Sequence, residues 1–170
     1  MSYNLIDLNE ETRRRMLDEF EADVAKGAVF HSAIVAPADE SRYLDVHRDA
    51  LAAGDPESFA QAVVDLGLLQ DRQANGSRVN VPAASKRLAA GQFGAYYARA
   101  VASVALDAGL PIEVYRARHS TSSRPESERL IGQRLDPKEL LADLRVNSSD
   151  PQAFAVLPDV NSGITIKAVR

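Results

Sequence analysis

Apolar residues return along this chain in two rhythms, and the longer rhythm marks the stretch 80–144 as its organising part. Over residues 92–108, Phe93, Tyr97, Ala100, Val101, Val104 and Ala108 recur at steps of three and four, the spacing of one helical face. Many intervening positions are alanine, so this central helix is apolar over more than half its circumference and is expected to have neighbours on two sides. Gly109 supplies the stop, since a residue without a Cβ enters the left-handed conformation cheaply. After Leu110-Pro111 the rhythm changes to alternation through 112–118, which predicts a half-buried strand.

The rest of the chain repeats these signals on a smaller scale. Asp7 or Asn9 can cap a first helix whose buried stripe is Met16, Leu17, Phe20 and Val24, closed by Lys26 and Gly27. Residues 28–36, rich in β-branched and aromatic side chains between Gly27 and Pro37, read as a strand. A helix over 41–53 places Tyr43, Leu44, His47 and Leu51 on one face and ends at Gly54. Asp55-Pro56-Glu57 opens another, with Phe59, Ala60, Val63, Val64 and Leu66 inward and Gly67 beyond. The polar run 70–77 contains the turn dipeptide Asn75-Gly76. Val79 and Val81 suggest a short strand, and 83–90 a brief helix exposing Lys86 and Arg87, joined to the central helix at Gly91.

Beyond the central unit, 125–131 reads as helix, and Asp136-Pro137 starts another with Leu140, Leu141 and Leu144 inward. Asn161-Ser162-Gly163 makes a sharp reversal into a strand over 164–169, which pairs either with 112–118 or with the sheet of a neighbouring molecule. The pattern predicts one mostly helical α+β domain spanning 1–170, with six or seven helices and a sheet of three or four strands.

Length agrees with that picture: 170 residues can bury a core without metal or disulfide staples. The chain has no cysteine, which excludes disulfides, thiol catalysis and thiolate metal sites. Lacking an apolar run of membrane length or a leader, it is expected in the cytosol or in a particle assembled there. Charge is unevenly spread. Residues 1–75 carry 15 acidic and 7 basic side chains and residues 76–170 carry 9 and 13, so the halves can attract each other or the opposite half of a second copy. Arg13-Arg14-Arg15 lies among acids at helical spacing, which favours internal ion pairs over phosphate contact.

Candidate chemistry gathers in the second half. Arg116, Arg118, His119, Arg124, Arg129 and Arg134 surround the hydroxyl-rich run 120–123 and face only Glu126 and Glu128, a composition able to hold phosphate, carboxylate or an acidic protein surface. His47, on an apolar helix face, reads as a core residue more readily than as a ligand. Catalytic patterns fail on spacing. Arg116, Ser120-Thr121-Ser122 and Glu126-Ser127-Glu128 echo the NAD-gripping elements of ADP-ribosyltransferases, but there those elements lie on separate strands far apart in sequence. Asp107 and Glu113 fall beside a strand as in metal-dependent nucleases, yet Tyr115 stands where that pattern needs lysine. His31, His47 and His119 have no metal-ligand spacing, and no phosphate-binding glycine loop occurs. No cofactor and no metal are expected.

The run LAAGQFGAYYARAVASVALDAG, followed by EVYRARH, RPESERLIGQRLDP and PDVNSGITI, resembles small uncharacterised proteins of tailed phages and bacterial mobile elements over residues 80–170. That resemblance implies a setting and assigns no catalytic residue. The function expected is therefore a non-enzymatic structural or assembly protein, such as a virion component, contacting itself or another assembly protein. The alternative is a nucleic-acid or phosphate-binding accessory protein using the basic loop 116–134.

Overall fold

A computed structural model describes residues 3–118, 125–157 and 163–170. Helix α1 (Glu10–Lys26) begins where the Asn9 side chain accepts the Thr12 N–H at 3.0 Å and ends at Gly27. Helix α2 (Glu40–Ala53) follows a 3-10 turn at Pro37–Asp39. Helix α3 (Pro56–Asp65) opens with a capping box, Asp55 accepting from the Glu57 and Ser58 amides while Ser58 Oγ accepts the Asp55 N–H. Helix α4 (Val81–Ala108) is capped by Asn80 and stopped by Gly109 at φ 65°. Strand β1 (Ile112–Arg116), helix α5 (Pro125–Leu130), strand β2 (Arg134–Leu135), helix α6 (Pro137–Val146) and strand β3 (Ile164–Ala168) complete the chain, with a second 3-10 turn at Pro151–Ala153. The mostly helical α+β reading holds.

The central helix is longer than its periodicity suggested. Residues 83–90 are not a separate helix, and Val81 belongs to no strand: one helix of 28 residues, roughly 42 Å at 1.5 Å per residue, runs through both Gly91 and Gly94. Pro82 sits in its first turn, where the missing N–H costs nothing. From Leu88 to Ala105 almost every side chain is buried, because α1, α3, α6 and β3 all pack around it. So many neighbours suit the alanine-rich sequence.

The sheet is antiparallel in the order β2-β1-β3, with Val114 opposite Ile166 and Arg116 opposite Ile164. That register puts Ile112, Val114, Ile164 and Ile166 on one buried face, while Glu113 pairs with Lys167 at 3.0 Å on the other. Of the two pairings open to the last strand, the internal one is adopted. Its edge is not offered to a neighbour along its first half, since Ile164, Thr165 and Ile166 are buried, and Asp7 Oδ2 accepts the Ala168 N–H at 2.8 Å. The amino-terminal segment is pinned over the sheet by phenols: Tyr115 donates to the Asn4 carbonyl at 2.8 Å and accepts the Ile6 N–H, and Tyr97 accepts the Asp7 N–H at 3.1 Å.

Residues 28–36 are the main departure. They form turns with one isolated bridge from Val35 to Leu69, backed by the Gln70 N–H on the Ile34 carbonyl. The run has strand composition without strand alternation, and its chain reverses at Ser32–Val35, so its apolar side chains reach the core from a loop. Leu66, expected inward, is 45% exposed just past the end of α3.

His47 is wholly buried among four rings from four helices: Phe20 at 4.6 Å, Phe59 stacked at 4.7 Å, Tyr96 at 5.4 Å and Tyr43 at 5.9 Å between centroids. Neither ring nitrogen has a hydrogen-bond partner among the described residues, nor does the Tyr43 hydroxyl. Burial, aided by the nearby Arg48 charge, pushes the imidazole down to about 3 and keeps it neutral. A folded value below the unfolded one, roughly 6.5, means that its contribution is complete above pH 6.5 and is lost as pH falls toward 3. Chemical denaturation between pH 6.5 and 5, above the range where carboxylates protonate, should show stability falling by up to about 1.4 kcal/mol per pH unit. His47→Leu should flatten that slope, and an unchanged slope would assign it elsewhere.

Candidate functional site: a cation-rimmed cleft

Of the expected basic loop, the described residues include Arg116, Arg118, Arg129 and Arg134. Arg116, whose side chain is only 13% exposed, is held by Glu128 at 2.6 Å. Arg134 sits in β2 opposite Glu113, and Arg129 is exposed on α5. His119 and Arg124 lie outside the described residues. Arg118 takes a different course. Its amide and that of Ala117 both donate to the Gly163 carbonyl, at 3.0 and 2.8 Å. Gly163 has φ 82°, and a Cβ there would lie 2.7 Å from the Arg118 carbonyl oxygen, so only glycine permits this close crossing. Fixed in this way, the Arg118 guanidinium lies over the Tyr3 ring, 5.1 Å from its centroid.

That pair forms one wall of a cleft of about 520 Å³ between α3 and the start of α4. Its floor is apolar, made by Pro56, Ala60, Val64 and Pro82, and Lys86 stands at the rim as a second cation. Both prolines occupy the first turns of their helices, so helix-start chemistry shapes the floor. The caps Asp55 and Asn80 already accept amides of these first turns, which leaves side chains as the binding groups. Glu57 also lines the cleft and has an interaction of its own. Tyr3 Oη and Arg118 Nε are buried atoms without a hydrogen-bond partner among the described residues. Burial raises the Tyr3 phenol above its usual range against the opposing Arg118 charge, so it stays a neutral donor.

A second charged cluster was not anticipated. Arg99, 3% exposed in the middle of α4, donates to Glu19 at 2.5 and 2.9 Å and to Asp23 at 2.5 Å. Tyr96 adds a hydrogen bond to Asp23 at 2.9 Å, Ser148 another, and Arg145 closes over Glu19 from α6. Burial works to raise both carboxyls, yet for Glu19 the two arginines, and for Asp23 the bonds from Arg99 and Ser148, hold them below the usual carboxylate range. The neighbouring Arg13-Arg14-Arg15 run is only partly paired with acids. Arg14 and Arg15 bind Glu11, and Arg15 also reaches Asp107, but Arg13 donates to the Leu51 and Gly54 carbonyls at the end of α2.

Among the described residues no group of three or more His, Asp or Glu is placed to hold a metal ion, and no helix is long and apolar enough to cross a membrane. Comparison with protein-family models, with curated proteins and with solved structures returned no match. The cleft can bind, through two cations above an apolar floor; the Arg99 cluster, with its charges mutually satisfied, can hold helices together. Arg99→Ala should therefore cost roughly 3–5 kcal/mol, the usual result of stranding buried charge. Arg99→Lys should recover only part of this, since one ammonium cannot span two carboxylates as a guanidinium does. Urea unfolding at pH 7 measures both; a loss below about 1 kcal/mol for the alanine variant would deny the cluster its role.

Proposed function

We propose that this is a non-enzymatic structural or assembly protein that works through protein–protein contacts, in a setting such as a phage particle. The observation carrying this reading is the cleft between α3 and the start of α4, where two cations stand beside an apolar floor. A mixed surface of that kind suits a protein chain, which offers carboxylates and apolar side chains together. The resemblance of residues 80–170 to phage and mobile-element proteins supports the setting.

The alternative, a nucleic-acid or phosphate binder, draws on the same Arg118 and Lys86. Polyanion binding needs several free cations along a track. Here Arg116 is taken up by Glu128, and the cleft itself contains Glu57 and an apolar floor that a phosphate backbone would not use. Protein contact accounts for more of the site.

Light scattering after size exclusion, at low and high salt with the 260/280 nm absorbance ratio recorded, tests the choice. A defined oligomer free of nucleic acid is expected, lighter in high salt because exposed ion pairs are screened, and reduced by Arg118→Ala with Lys86→Ala. A monomer carrying nucleic acid that salt removes would favour the alternative. A monomer free of nucleic acid at both salts would reject self-assembly.

A further inference from the structure

We propose that the cleft between α3, the first turns of α4 and Arg118 is a receptor for a short acidic segment of another protein chain, in which one carboxylate lies beside apolar side chains. This deepens the assembly reading and rests on it for the partner being a protein. Its volume, about 520 Å³, falls in the range of pockets that enclose a few side chains. Pro56, Ala60, Val64 and Pro82 offer those side chains an apolar bed. Arg118 and Lys86 offer the carboxylate a guanidinium and an ammonium.

Arg118 is organised for this role before any ligand arrives. Its backbone is held by the Gly163 carbonyl and its guanidinium lies over Tyr3, so little side-chain freedom remains to be lost on binding. The Arg118 Nε and Tyr3 Oη atoms, buried without partners among the described residues, leave hydrogen-bonding capacity in the same wall. Charge in the cleft also limits what it accepts. Two cations beside an apolar bed suit one carboxylate flanked by apolar side chains better than a run of carboxylates or a phosphate dianion. The capping of both helix starts by Asp55 and Asn80 points the same way, because amide nests suited to phosphate are already filled.

The test is a titration of nitrogen-15-labelled protein with the end-capped peptide Ala-Leu-Glu-Leu-Ala, with its Gln counterpart and with inorganic phosphate, followed by amide chemical shifts. Saturable shifts centred on Gln61, Val64, Ser85 and Lys86 are expected with the Glu peptide. The Gln peptide should bind about tenfold more weakly, as for loss of one charge-assisted contact. Lys86→Glu, on an exposed side chain, and Arg118→Met should each weaken the Glu peptide by a similar factor; the lysine variant keeps the test decisive if the arginine variant folds poorly. Equal affinity for the Gln peptide, phosphate binding as tight as the peptide, or no saturable shifts at these residues would each overturn the proposal. Should the peptide fail while the native protein remains a salt-sensitive oligomer, this inference falls and the assembly reading stands. Peptide binding by a protein that is monomeric at all salts would leave the cleft intact and remove self-assembly.

Discussion

Most of the architecture depends on a single buried guanidinium. Arg99 draws Glu19 and Asp23 of α1 against the middle of α4, and through Ser148 and Arg145 the same carboxylates fix the end of α6. Counted together, Glu19, Asp23, Arg99 and Arg145 are neutral, so the cluster carries no net charge. Replacing such a cluster wholly by apolar side chains can be neutral or even favourable, which makes it weak evidence for net stability. Its force is directional. Hydrophobic contacts between α1 and α4 would tolerate small slides or rotations, whereas a guanidinium spanning two carboxylates one helical turn apart accepts one register.

The same cluster explains what becomes of the uneven charge along the chain. Three acids from the first half, Asp7, Glu19 and Asp23, are partnered by Arg170, Arg99 and Arg145 from the second. Arg15 and Asp107 make the reverse exchange. The two halves attract each other inside one molecule, and the charge asymmetry by itself is no longer an argument for a second copy. What self-association requires must instead come from groups left at the surface. Arg118 and Lys86 at the cleft are such groups, whereas Arg116 is spent on Glu128.

Elements whose signals are local were readable in the sequence, and those decided by distant partners were not. Asn9, Asp55 and Asp136 cap helices where their neighbours say they should, since a cap is settled within a few residues. Strand β3 was legible as a strand, and its partner emerged only from tertiary packing. Residues 28–36 show the converse: β-prone composition without a sheet to join gives a loop. The merging of 83–90 into the central helix was hidden because Gly91 looks like a break, yet a helix packed by neighbours on all sides tolerates the glycine penalty of about 1 kcal/mol. The Arg99 cluster did leave a trace. An arginine within an alanine-rich apolar helix must find buried acids, and Glu19 and Asp23 flank Phe20 at the spacing of one helical face. Of the four proposed basic residues that are described, Arg118 is the one that lines the cleft; Tyr3, Lys86 and the two prolines join it from parts of the chain with no shared local pattern.

Two buried nitrogen-bearing side chains, Arg99 and His47, show why burial alone does not identify a functional group. Arg99 and His47 are both nearly inaccessible, and both stand against Tyr96, Arg99 over one side of the ring at 5.0 Å and His47 at its edge. Arg99 keeps its charge because two carboxylates compensate its lost hydration, and its bonds to Glu19 and Asp23 bind α4 to α1. His47 has four rings around it and no hydrogen-bond partner among the described residues, so the neutral form is the one that fits, and it packs as an aromatic residue would. Arg99 does line a shallow cleft beside α1, but the carboxylates there already take up its donors. Arg118 differs in that respect: backbone pairing and an aromatic neighbour hold it in place, yet the head group borders open space above an apolar floor. A positioned cation without an acid partner among the described residues is what recognition needs, and Arg118 fits that condition.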